Sequence, residues 1–395
     1  MTGLLDRWFP REAAEPWDAV GTVCGDPVDP VRRVLLAVDP VRAVVNEAVD
    51  WPADLLVVHH PLLLRPVHGV PATTPKGRVV QDLVRNRVAL HVCHTNADSV
   101  SGGVSEALAQ TLGLTDLRPI LPHPDGQLDK LVVFVPPESA DAVRDAVTAA
   151  GAGAIGDYDR CTFTLVGTGS FRPLPGASPS VGEVGKVEKV PEVRLETVLP
   201  RLRRTAVIEA LRAAHPYEEP AFDLIALADL PGERGSGRVG RLHEPTTLGE
   251  FARRVVAALP ATSSAVRVAG AVDRPVEWVA VCGGSGDFLL DEVRGSGADV
   301  YVTSDLRHHP VSEFREHAYD DPRTPALVDV PHMAAEWTWL PLLADRLHRE
   351  LNETGGLVEP TGDAEQVATV EVRVSTTVTD PWTDHLAMTT RGAPS

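Results

Sequence analysis

Cysteine is scarce in this chain. Cys24, Cys93, Cys161 and Cys282 are the four thiols in 395 residues, and no two form a C-x-x-C pair. No disulfide framework follows from that spacing, and free thiols in a reducing compartment are expected. Long apolar runs are also missing. No stretch is long and apolar enough to span a bilayer. The opening residues, Met1-Thr2-Gly3-Leu4-Leu5-Asp6-Arg7, lack the apolar run of a signal peptide. The expectation is a soluble, cytoplasmic protein with no membrane partner. Positive charge is short as well: 37 Lys and Arg stand against 55 Asp and Glu, a formal charge of -18. Non-specific binding to duplex DNA needs clustered Lys and Arg. Nucleic acid is therefore not an expected partner, whereas a small anionic substrate held by a metal stays compatible.

Composition gives no sign of disorder, and an apolar fraction of 43% is ample for sizeable cores. The length predicts roughly two or three domains. The chain is organised around Asp54-Leu55-Leu56-Val57-Val58-His59-His60-Pro61. Four apolar residues in a row read as a buried parallel strand. Two histidines and a proline then end it. Ligands of open α/β sheets sit at the carboxyl ends of strands. Neighbours on a strand point to opposite faces, but a turn at Pro61 would bring both imidazoles to one site. The plainer alternative is a strand that ends in two surface histidines.

Strands are predicted at 32–38, 54–58 and 88–92, with helices over 41–50, 76–87 and after Gly102-Gly103. That alternation predicts a mostly parallel sheet. Pro119, Pro122 and Pro124 read as a linker. Beyond them the pattern is strand (131–135), helix (139–150, Ser139 as N-cap), strands (161–166 and 187–197), helix (200–214) and strand (222–227). A loop rich in Gly and Pro fills 167–186. The order β-α-β-β-α-β is that of a ferredoxin-like module. The α/β texture resumes from Gly240, with strands at 278–282, 299–303 and 326–330, a long helix to about 351 and a late strand at 370–374. The expected organisation is an α/β core of two halves, residues 1–126 and 236–395, interrupted by an α+β insert at 127–235.

Three features at predicted strand ends share one chemistry. The first is His59 with His60. The second is His94 with Asp98. The third is His332-Met333-Ala334-Ala335-Glu336, a His and a Glu one helical turn apart on a shared face. Imidazole plus carboxylate suits zinc, iron, manganese or nickel. An isolated H-x-x-x-E is common by chance; three such features, each after an apolar strand, are not. Gly283-Gly284-Ser285-Gly286 reads either as an anion cradle or as a tight turn. His215-Pro216-Tyr217-Glu218-Glu219 reads as a cavity lining or as a cap. The tripeptide His-His-Pro recurs at 308–310.

The stretches LLVVHHPLLL, HTNADSVSGGVSEALA, VAVCGGSGDFLLDEVRGSGADVYVTSDLRHHP and VDVPHMAAEW resemble the family of GTP cyclohydrolase I type 2 homologues. Its members are also called Nif-three-like dinuclear metal-centre proteins. Residues 129–228 resemble the PII/CutA-like insert of its longer members. The resemblance implies a toroidal homohexamer with metal sites facing an internal cavity. Carried onto this chain, the metal ligands are His59, His60, Asp98, His332 and Glu336. His94 is the candidate for proton transfer. Two divalent ions per chain are implied, and Asp98 and Glu336 are the candidates to bridge them. Ser304 stands where the family usually has glycine. The implied activity is a metal-dependent hydrolase acting on a nucleotide or related small molecule. A phosphodiesterase, or a non-enzymatic metal-binding hexamer with a regulatory or metal-handling role, is the alternative.

Overall fold

The computed structural model describes residues 1–124, 127–228, 231–353 and 369–386. The chain forms two compact units, Met1–His123 with Glu233–Ser395, and Pro124–Gly232. The architecture is mixed α/β, as the alternation of apolar runs predicts.

The first unit holds two main sheets. One has the order Gly21–Cys24, Ala89–Val92, Leu55–Val58, Arg33–Ala37, Glu371–Val374. Its strands are parallel except the first, which pairs antiparallel at an edge. All four residues of Leu55–Val58 are buried. Leu55 and Val57 pack into one apolar cluster with Trp339 and Leu343, while Leu56 and Val58 pack into another with Val44 and Leu83. A strand covered on both faces needs this unbroken apolar run.

The other sheet has the order Arg267–Ala269, Ala326–Val330, Val300–Ser304, Pro275–Ser285, Arg238–Thr247, Leu114–Arg118. Val300–Ser304 runs parallel to both neighbours, and the outer pairings are antiparallel. The chain approaching the proline cluster is thus the edge strand Leu114–Arg118, and Leu121–Pro124 is itself extended. The chain passes from the first unit to the second within this proline cluster, between His123 and Pro124, and prolines are tolerated where a strand has a free edge. The long helix after His332 is two helices, His332–Trp337 and Trp339–His348. Pro341 has no amide hydrogen for a continuous helix, but it fits the first turn of a new one. Among the described residues, no helix is long and apolar enough to cross a membrane.

The second unit runs strand Leu128–Val135, helix Ala140–Ala149, strands Thr162–Phe171 and Glu188–Pro200, helix Arg204–Ala214 and strand Phe222–Ala226. These strands form one antiparallel sheet in the order Phe222–Ala226, Leu128–Val135, Glu188–Pro200, Thr162–Phe171. Val143, Val147, Val207 and Leu211 of the helices pack on Leu131, Val133 and Leu195. The buried Asp129 carboxylate accepts from Arg204 Nε at 2.8 Å. Ser139 stands at the helix N-cap, but its side chain makes no capping bond. His215 Nε2 meets the Phe134 carbonyl at 2.9 Å, and its Nδ1 accepts the Tyr217 amide at 3.1 Å. That histidine anchors the turn after its helix.

Candidate metal centre

The backbone brings His59 and His60 to one side. Both amides donate to the Val38 carbonyl, at 3.1 and 2.9 Å. This pinches the chain where the strand ends and breaks the alternation of faces. The two ring centroids lie 5.1 Å apart. His94 leaves the end of the neighbouring strand and caps the single turn Thr95–Asp98. Its ring lies 5.1 Å from that of His59 and 5.6 Å from that of His60. Asp98 Oδ1 is 3.6 Å from His59 Nε2.

His332 and Glu336 arrive from the second sheet, on the helix that follows Ala326–Val330. One turn separates them, and His332 Nε2 sits 2.8 Å from Glu336 Oε1. Glu336 is 3% exposed, and its other oxygen lies 3.0 Å from His60 Nε2. His59 Nε2 is 3.4 Å from Glu336 Oε1. The structure therefore places His59, His60, His94, Asp98, His332 and Glu336 around one point. Two triplets, His59/His60/His94 and His60/His332/Glu336, each hold their ligand atoms within 4.8 Å of one another and could hold a metal ion.

Each histidine is held from behind. His59 Nδ1 lies 2.9 Å from the Cys93 carbonyl, and His60 Nδ1 lies 2.7 Å from Asp39 Oδ1. His94 Nδ1 lies 2.8 Å from Asp18 Oδ1, and His332 Nδ1 lies 2.7 Å from Asp305 Oδ2. Facing an acceptor, each Nδ1 carries the proton, so in the neutral ring each Nε2 lone pair points inward. Metal-ligating histidines are oriented in this way. The inner atoms confirm the fit. His59 Nε2 and Asp98 Oδ1 are buried without a hydrogen-bond partner among the described residues. In neutral rings, His60 Nε2 and His332 Nε2, 3.2 Å apart, would set lone pair against lone pair, which a bound cation or added protons relieve. Imidazole nitrogens and carboxylate oxygens that converge with unmet needs suit a divalent cation.

Electrostatics agrees. Burial alone would lower the His60 pKa, but the Glu336 and Asp39 carboxylates outweigh it and raise it to about 11. The same opposition, from Glu336 and Asp305, raises His332 to about 10. Burial would raise Glu336, yet His60, His332 and His59 hold it well below the usual carboxylate range. Glu336 thus demands positive charge, which protons or metal ions can supply.

Several participants are not evident from sequence. Asp18, Asp39 and Asp305 act through the far nitrogens of the histidines; Asp305 directly follows the strand Val300–Ser304, and Asp39 lies two residues past Arg33–Ala37. Asp305 adopts φ +57°, a left-handed conformation that aspartate takes more readily than most non-glycine residues. Ser304 keeps its place in the strand opposite Val330, fully buried. The glycine usual in the family is thus not required for the turn here; the Ser304 hydroxyl is buried with no partner among the described residues. Two glycines of the Gly283–Gly286 stretch have roles in the fold of the centre. The Gly283 amide donates to Ser105 Oγ at 3.3 Å. Gly284, at φ +70°, leaves room for Glu336: a Cβ there would sit 2.5 Å from Oε1. His308-His309-Pro310 opens an exposed helix rather than ending a strand, so it does not match 59–61.

If Asp305 holds His332 in register, Asp305→Asn weakens metal binding by about 10–100-fold, as loss of such partners does elsewhere. Competition against a chelator of known affinity measures this. Unchanged affinity would remove Asp305 from the centre.

Comparison with known proteins comes next. The family model Duf34/NIF3 (NGG1p interacting factor 3) matches residues 1–360. A Mycobacterium tuberculosis protein named GTP cyclohydrolase 1 type 2 homolog is 48% identical over 384 residues, 97% of this chain and 96% of that protein. The crystal structure of a Bacillus cereus protein related to NIF3 has TM-score 0.67 and 34% identity, and covers 96% of each chain. That of Staphylococcus aureus protein SA1388 has TM-score 0.74 and 26% identity, and also covers 96% of each chain.

Proposed function

The chain belongs to the Duf34/NIF3 family, and from that premise we propose that it is a metal-dependent hydrolase of a nucleotide or related small molecule. The observation that carries the proposal is Glu336. Its two oxygens serve different histidines, Oε2 toward His60 and Oε1 toward His59 and His332. A buried carboxylate so placed is suited to bridging. One ion would be held by His60, His332 and Glu336, and a second by His59, Asp98 and Glu336. When bound, two divalent ions supply Lewis acidity, which polarises a substrate oxygen and acidifies a water.

The protein's own groups do the rest. Asp39, Asp305 and the Cys93 carbonyl hold the ligand rings in one tautomer. His94 takes and returns a proton at Nε2, since its Nδ1 is engaged by Asp18. Burial would raise the Asp18 pKa, but its hydrogen bonds to His94 and Thr95 hold that carboxylate far below the ordinary range. Asp18 therefore stays ionised and fixes the orientation of the His94 ring.

The test is turnover of a nucleotide panel, GTP included, by metal-loaded protein. Activity should vanish on chelation and return with metal. His94→Gln should keep its metal and lose about 10²–10⁴-fold in kcat, the usual contribution of a positioned acid–base group. A His94→Gln protein that loses its metal would make His94 a ligand instead. Turnover that ignores chelation would sink the hydrolase reading. Full metal occupancy with no turnover would favour a metal-binding protein without catalysis.

A further inference from the structure

A cavity of about 590 Å³ lies beside His60 and Asp39, on the side of Pro61 and Leu62. That volume falls in the range of small-molecule sites. Two helices begin at its wall, Arg42–Asp50 and Pro75–Arg85, and they share one apolar cluster through Val44, Val45, Val79 and Leu83.

This wall is basic, in a chain whose formal charge is -18. Arg42, Lys76 and Arg78 all line it, and none of the three has an ion-pair partner among the described residues. By contrast Arg267, which lines the cavity on the His332 side, is held by Asp329, Nε to Oδ2 at 2.8 Å. One carboxylate, Asp39, lines the basic cavity, and both its oxygens are engaged. Oδ1 meets His60 Nδ1 at 2.7 Å, and Oδ2 accepts the Thr379 hydroxyl. The helix ends add to the field. Neither helix has an acidic residue in its first turn, and Val41 offers no side-chain cap to the helix it precedes. The partial positive charge of two N-termini is therefore not countered by an acidic side chain. Cations gathered without a counter-charge favour an anion of more than one charge. Arginine forks match phosphate oxygens two at a time, and lysine serves phosphate as a point charge.

We infer that Arg42, Lys76 and Arg78 bind the phosphate monoester end of the substrate, a handle that is held while the metal centre acts elsewhere on the molecule. Asp39 and His60 line both this cavity and the one on the His332 side, so the handle lies at the edge of the centre rather than in it. The phosphate is thus retained in the product. This deepens the hydrolase reading and rests on it for what the handle serves, but not for the binding itself.

Isothermal titration on metal-free full-length protein tests it, with the chelator removed beforehand so that no metal recruits the phosphate. The probes are ribose 5-phosphate, ribose and citrate. Ribose 5-phosphate should bind about tenfold more tightly than citrate, whose carboxylates match the site less well. Ribose should not bind. Arg42→Ala and Arg78→Ala should each weaken ribose 5-phosphate by about tenfold, as loss of one hydrogen bond to a charged group does. Arg78→Glu should abolish binding. Arg253→Ala, at an exposed arginine of the helix Leu248–Ala258, should leave it within about twofold. Adenosine 5′-monophosphate should lose the same factors, and its rank against ribose 5-phosphate tells a nucleotide source from a sugar phosphate. Reconstituted variants should carry wild-type metal. Phosphate binding by a protein without turnover upholds this inference while the hydrolase reading falls. The inference is overturned if wild type binds neither phosphate ester at millimolar concentration, whatever its turnover. It is equally overturned if citrate binds as tightly as ribose 5-phosphate, or if Arg42→Ala and Arg78→Ala leave affinity within twofold.

Discussion

Glu336→Gln should leave the protein folded and deprive it of at least one metal ion. The substitution keeps the volume and removes the charge. Glu336 is 3% exposed and lies within 2.8–3.4 Å of three histidines, so its loss of charge has no solvent to soften it. A neutral amide is a poor ligand for two cations. Elemental analysis after reconstitution is the measurement, and metal content equal to wild type would refute the site. The metal-free protein gives an independent check. In wild type, Glu336 raises His60 to about 11 and His332 to about 10. A histidine whose folded pKa exceeds its unfolded value contributes stability that is full below the unfolded pKa. That stability fades as pH rises through the folded one. Metal-free wild type should therefore melt above metal-free Glu336→Gln at pH 6, and the gap should narrow by pH 10.

Gly284→Ala should damage the same centre through the backbone. Gly284 lies at φ +70°, and an added Cβ would stand 2.5 Å from Glu336 Oε1. The left-handed conformation alone costs about 1–2 kcal/mol for a residue with a Cβ. Glu336 cannot retreat without leaving His59, His60 or His332. A loss of about 2 kcal/mol or more is expected, together with lowered metal content. Gly295→Ala is the control. Gly295 ends the helix Leu290–Gly295, has no neighbour within 4 Å of a Cβ and has no positive φ. It should stay within about 0.5 kcal/mol of wild type. Equal effects from the two substitutions would deny Gly284 its role beside Glu336.

What could be read in advance follows from how local each signal is. His59 and His60 stand directly after Leu55–Val58, and His332 and Glu336 share one helical turn, so a few neighbouring residues suffice to mark them. Asp18, Asp39 and Asp305 carry no such mark. Each is a lone aspartate in its stretch of chain, and its meaning lies in a histidine far along the sequence. Gly284 is hidden for a similar reason: a glycine that opens a turn and a glycine that yields space to a distant carboxylate look alike in sequence. The edge strand Leu114–Arg118 was masked by the prolines that follow it. Arg238–Thr247 was masked by its polar, irregular pattern. Its partner strand Pro275–Ser285 is buried over most of its length, so its apolar run shows plainly.

The centre also imposes an order on biosynthesis. His59, His60, His94 and Asp98 leave the ribosome early. The whole second unit must then be made before His332 and Glu336 exist. At about 5–20 residues per second, the early histidines wait tens of seconds for their carboxylate. During that interval the nascent chain presents three imidazoles and Asp98 without Glu336, and its first sheet still lacks the strand Glu371–Val374. A cation captured then would meet a nitrogen-rich half-site, whereas the finished protein adds His332 and the buried Glu336 carboxylate. If the centre binds a metal as proposed, which ion it takes would depend on whether loading precedes or follows the last strand.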